Sequence, residues 1–141
     1  MASKLSSKIV RGRKVSTPGE PARLRFTLAE PLRQFALGLP EAWEDHPWGE
    51  NVAKVGKKVF VFFGLPDGEH PFGMTVKLPD SYEVAMSLPW AKNPGYRMDR
   101  GHWVWLQPPE DAPFDMLADW ITESYRAVAP KRLAQTLENP G

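Results

Sequence analysis

Fifteen prolines are spread through 141 residues, about twice the usual share of roughly 5%. Proline fixes φ and has no amide hydrogen, so it ends helices and is kept out of central strands. The chain must therefore be assembled from short elements with sharp ends. Its composition is otherwise that of a globular protein, with 42% hydrophobic and 25% charged residues. The length suits one compact domain, typically about 100–150 residues. No uncharged apolar run approaches the roughly 18 residues of a membrane span. No apolar h-region follows the basic start, and no amphipathic stripe suggests a transit peptide; cytoplasmic residence is expected. The absence of cysteine excludes disulfides, iron–sulfur clusters, thiolate zinc sites and cysteine nucleophiles.

Between the prolines the hydrophobic periods alternate between helix and strand. Leu28, Leu32, Phe35 and Leu39 fall on one helical stripe that Pro40 ends. The capping pattern Thr27-Leu28-Ala29-Glu30 or Pro31 at a first helical position marks its start. Residues 40–50 (PEAWEDHPWGE) read as a loop rich in acids and tryptophan. Strands are expected at 51–55, at 58–64 and at 72–78, with a Pro66-Asp67-Gly68 turn between the last two. KVFVFFG, apolar at adjacent positions, predicts a central strand covered on both faces. Phe72, Met74, Val76 and Leu78 share one face of the third strand, and Gly73, Thr75 and Lys77 the other. A short helix capped by Asp80 or Ser81 follows, then strands near 96–98 and 102–107 around an Asp99-Arg100-Gly101 turn. A long helix over 113–129, with Phe114, Leu117, Ile121, Tyr125 and Val128 as its stripe, precedes a short amphipathic tail at 131–138. The expected fold class is α+β: an antiparallel sheet with helices packed on it, in the order α-β3-α-β2-α.

Charge divides the chain more sharply than composition does. Residues 1–25 hold seven basic side chains, among them Lys4, Lys8, Arg11, Arg13 and Lys14, against Glu20 alone, a balance of +6. Residues 26–141 hold eleven basic and sixteen acidic side chains, a balance of −5. The expected organisation is a basic N-terminal arm (1–25) on an acidic α+β domain (26–141). The phosphate-neutralising footprint of a DNA-binding protein is in the arm and not in the body as a whole. A flexible or peripherally packed tail is the plainer reading of the arm.

The surface with most chemical content is the sheet face predicted to carry Trp103, Trp105 and Lys77, with Lys57, Lys58, Arg97 and Arg100 in nearby turns. Rings that stack on bases and cations that follow phosphates are the parts of a nucleic-acid groove. The bland alternative has the indoles covering the sheet, with lysine stems lying across them. Lys131 and Arg132 after the long helix complement its dipole or add to the same footprint. Glu41, Glu44, Asp45 and His46 are metal-capable residue types, but they sit in a loop without helical register or a distant second histidine, so no metal is expected. His102 and His70 read as a strand-edge and an exposed histidine. Ser124 lacks the G-x-S-x-G elbow of a nucleophile and reads as a back-bonded helix hydroxyl. No glycine-rich phosphate loop is present, and no cofactor is expected.

The segments LGLPEAWEDHPWG (37–49), GKKVFVFFG (56–64), VKLPD (76–80), GYRMDRGHWVWLQ (95–107) and LADWITESYRAVAPKRL (117–133) resemble, in this order, the MmcQ/YjbR family of small bacterial proteins. The resemblance spans most of residues 30–135 and leaves out the arm. It implies a fold related to type III secretion chaperones and a "double-wing" DNA-binding role, and it brings no catalytic residues. Two readings stand: a DNA-binding protein with largely electrostatic contacts, or a chaperone-like module that binds a peptide or a second copy through the sheet face. No enzyme and no membrane partner is expected.

Overall fold

The computed structural model describes residues 28–64, 72–95 and 97–138, apart from the side chains of Trp48, Asp99 and Glu138. The arm, Thr27, the Pro66–Gly68 turn, His70 and Tyr96 lie outside the described residues. Helix α1 (Ala29–Leu37) leads into β1 (Ala42–Asp45), a 3-10 turn (Pro47–Gly49), β2 (Asn51–Val55), β3 (Lys58–Gly64) and β4 (Met74–Lys77). Then come α2 (Tyr82–Met86), β5 (Ala91–Lys92), a second 3-10 turn (Met98–Gly101), β6 (Trp103–Leu106), α3 (Phe114–Val128) and α4 (Lys131–Glu138). The strands form one antiparallel six-stranded sheet in the order β1-β2-β3-β4-β6-β5. The expected fold class holds, with one strand more before α2.

That extra strand comes from the segment read as an acidic loop. Alternation settles it: Glu44 points to the helix side, where Arg33 of α1 grips its carboxylate through Nε at 2.6 Å and Nη2 at 2.7 Å. Asp45 points the other way and accepts from Lys54 Nζ at 2.7 Å. Two further differences have local causes. The strand expected near 96–98 is instead the pair Ala91–Lys92, and Met98–Gly101 coils because Arg97 takes a left-handed φ of 62°. Neither Asp80 nor Ser81 caps α2 with its side chain; Glu123 of α3 does so from outside, accepting the Asp80 and Ser81 amides at 2.8 and 2.9 Å and the Ser81 hydroxyl at 2.7 Å. The tail at 131–138 is fully helical.

Among the described residues, helices cover KVFVFFG on one side only. Two register shifts against β2 leave Phe60 and Phe63 without partners. A bulge adds a residue and turns the strand, so Phe60 and Val61, although adjacent, are both fully buried on the helix side. Phe62 turns outward, to Trp103. The core lies between the sheet and α1 and α3: Leu32, Ala36, Met74, Val76, Val104, Leu106, Leu117, Ile121 and Tyr125 are buried. Trp120, which lies outside the predicted stripe, joins them. Tyr125 meets Phe60 edge-on at 5.2 Å and donates its hydroxyl to the Pro40 carbonyl at 2.7 Å.

Ser124 has a role the sequence did not show. Strands β3 and β4 pair at Val61–Val76 and Phe62–Thr75; the next pair in register, Phe60 and Lys77, is not joined directly. The buried Ser124 hydroxyl bridges it, accepting the Lys77 amide at 2.8 Å and donating to the Phe60 carbonyl at 2.6 Å. It is therefore not back-bonded to its own helix. Ser124→Ala leaves a buried donor and acceptor unmatched, at about 1–3 kcal/mol. Urea unfolding should show a lower midpoint with an unchanged slope.

Candidate nucleic-acid interface

Period-two alternation sends one set of side chains away from the helices. Following the register across the sheet, this set is Trp43 and Asp45 on β1, Val52 and Lys54 on β2, Val59 and Phe62 on β3, Thr75 and Lys77 on β4, Trp103 and Trp105 on β6, and Lys92 on β5. No described helix packs on this face. Three tryptophans here carry a lysine over the ring: Lys54 Nζ 5.2 Å from the Trp43 centroid, Lys77 Nζ 5.7 Å from Trp103, and Lys92 Nζ 5.7 Å from Trp105. These separations are within cation–π range.

The rings are held in place. Trp103 leans edge-on against Phe62 at 5.6 Å. Trp105 lies across Gly73, where an added Cβ would stand 3.1 Å from its Nε1. Gly101 gives the same clearance beside Trp103 and lets Lys77 Nζ reach its carbonyl at 2.8 Å. Trp43 donates its indole N–H to the Gly56 carbonyl at 2.9 Å and stays 44% exposed. Trp103 and Trp105 are partly exposed, so the indoles both cover the sheet and show at its surface.

Lys57, Lys58, Arg97 and Arg100 gather at one end of the sheet, which also carries the exposed Asp80. Antiparallel register brings together the β2–β3 turn with exposed Lys57 and Lys58, the C-terminal end of β4 at Lys77, and the 3-10 turn before Trp103 with exposed Arg97 and Arg100. The opposite end carries Glu50, Glu110 and Asp111. Lys131 and Arg132 reach the basic end from the helix layer and not from the tryptophan face. Arg132 is engaged there by Glu41, with Nη1–Oε2 at 3.0 Å, and that hydrogen bond holds the Glu41 carboxyl below its ordinary range. Lys92, Lys54, Trp43 and Phe62 join this face only through the strand pairing. A two-residue strand for Lys92, and a strand hidden in an acidic segment for Trp43, offered no periodic signal.

The metal-capable residues of 41–46 are dispersed onto separate partners. Glu41 pairs with Arg132, Glu44 with Arg33 and Asp45 with Lys54. His46 Nδ1 lies 2.7 Å from Asn51 Oδ1. No group of three such residues able to hold a metal occurs among the described residues. His102 is exposed, with φ of 63°, its carbonyl accepting the Leu78 amide at 2.9 Å and its ring edge-on to Tyr82 at 5.0 Å.

A sequence model of the YjbR family matches residues 37–127. The uncharacterised protein YbdF of Escherichia coli O157:H7 is 29% identical over 104 residues, which cover 72% of this chain and 84% of that protein. Among solved structures, Deinococcus radiodurans protein DR2400, described by the domain DUF419, superimposes with a TM-score of 0.58 at 24% identity, covering 77% of this chain and 86% of that one.

Two outcomes are expected. Gly73→Ala forces the Trp105 indole to shift, because the new Cβ also meets the Leu106 carbonyl at 3.3 Å; acrylamide quenching of tryptophan emission should rise. Glu44 is held below its ordinary value of 4.5 chiefly by its hydrogen bond from Arg33. A carboxylate whose folded pKa is depressed stabilises above the unfolded pKa, and that share is lost as pH falls through the folded value. Glu44→Gln should therefore lower stability near neutrality. The gap from the parent should close in acid, read by urea midpoints across the pH range.

Proposed function

This chain belongs to the YjbR family, and on that footing we propose that it is a non-enzymatic, cytoplasmic DNA-binding protein whose contacts are mainly electrostatic. The observation that carries the reading is the convergence of tryptophan–lysine pairs on one sheet face beside a sheet end bearing Lys57, Lys58, Arg97 and Arg100. Cations there neutralise phosphates, which supply most sequence-independent affinity. The body's negative total does not prevent this. Exposed charges are screened beyond about 8 Å at physiological ionic strength, so the local balance governs the encounter. The arm, with Lys4, Lys8, Arg11, Arg13 and Lys14, adds contacts of the same kind. Lys131 and Arg132 contribute less, because they sit on the helix layer and Glu41 answers Arg132.

The chemistry of the described residues supports a binding role over a reaction. Ser124 is fully buried with its hydroxyl committed between two strands. The carboxylates of 41–45 are each tied to a cation.

A fluorescence-polarisation titration with labelled oligonucleotides tests the reading. A site that neutralises about four phosphates loses roughly a hundredfold in affinity between about 50 and 200 mM salt. Replacing Lys57 and Lys58 together by Gln should weaken binding equally for all sequences and lower the salt slope by about two. Replacing the five arm cations by Gln should lower it further. Absence of binding at low salt, or binding indifferent to salt, overturns the reading.

A further inference from the structure

The charge arrangement does not distinguish one form of DNA from another, but the shape of the face does. We propose that the tryptophan face takes single-stranded nucleic acid, with bases laid on the indoles; this rests on the DNA-binding reading above. Six strands at a spacing of about 4.8 Å make a surface roughly 24 Å across. The major groove is about 12 Å wide and admits one helix or a two-stranded ribbon. The face is too broad to enter it. Duplex bases are also stacked on one another and present only their edges, whereas an unpaired strand exposes the ring faces that aromatic side chains recognise.

The residues fit that ligand. Trp103 and Trp105 alternate on β6 and stand about 6.6 Å apart along the strand, with Phe62 5.6 Å from Trp103. Trp43 lies four strand positions away in the sheet order, about 19 Å, so aromatic side chains stand on both halves of the face. Each indole already has an ammonium group over its ring. As a base takes that place, exposed Lys92 moves from the Trp105 ring to the adjoining phosphate. Asp45 does not repel the strand, because Lys54 neutralises it at 2.7 Å. Arg97, Arg100, Lys57 and Lys58, all exposed, continue the cationic path off the face.

The test uses the full chain, fluorescence polarisation and tryptophan emission at about 50 mM salt. The probes are labelled oligothymidylate of roughly a dozen nucleotides and a duplex of the same length. The single strand should bind at least about tenfold more tightly and quench the emission. Trp105→Leu should weaken the single strand roughly tenfold, within the range for one stacked base, while Trp105→Phe keeps most of the affinity. Should Trp105→Leu not fold, Lys92→Gln, on an exposed side chain, should lower the single-strand salt slope by about one. A duplex that binds as tightly as the single strand, with emission unchanged, overturns the single-strand assignment and leaves DNA binding standing. Failure of both probes to bind overturns both.

Discussion

The structure depends on how the middle of the sheet is joined where its strands part. Beyond Val61 and Val76 the ladder between β3 and β4 opens, and the Ser124 hydroxyl from α3 fills the gap. A serine in a buried helix stripe is ordinarily a loss, since its hydroxyl must find a partner away from water. Here it finds two, both backbone, and each would otherwise be a buried orphan. The bond fixes helix to sheet at one register and fixes Lys77 in particular. The amide of Lys77 is held on the helix side, and its side chain emerges on the other, over Trp103 and onto the Gly101 carbonyl. The core and the tryptophan face are thus tied through one residue.

The same economy governs the bulges in β3. A strand reading KVFVFF would put Phe60 and Phe62 on one face if it were regular. The register shifts turn Phe60 to Tyr125 and leave Phe62 to brace Trp103. Without the extra residue, one of the two rings would be on the wrong side of the sheet, since a shift of one position reverses every side chain.

Much of this was legible in the residues. The α3 stripe, the alternation of β4 and the pairing of Trp103 and Trp105 on one face all follow from simple periods, and the structure keeps them. The failures were local and physical. Ala42–Asp45 is an edge strand of four residues whose acids are matched by Arg33 and Lys54 from elsewhere in the chain, and a loop and a charged edge strand look alike in one dimension. The cap on α2 comes from Glu123, 42 positions along the chain from Ser81, so no local pattern encodes it. Much of the aromatic–cation face was likewise hidden. Lys92 and Lys54 meet their tryptophans only because the strand order sets β5 beside β6 and β1 beside β2.

The brevity of β5 has a consequence of its own. A sheet that shows indoles on one face invites other sheets to extend it edge to edge, the usual route to insoluble assemblies. The border nearest Trp105 offers only Ala91 and Lys92 before the chain turns away, too little ladder for a foreign strand to grip. At the far border, Ala42–Asp45 runs to only four residues, two of them in ion pairs that a foreign strand would have to disturb. The molecule can keep its aromatic surface wet and available because its two rims make poor templates for growth.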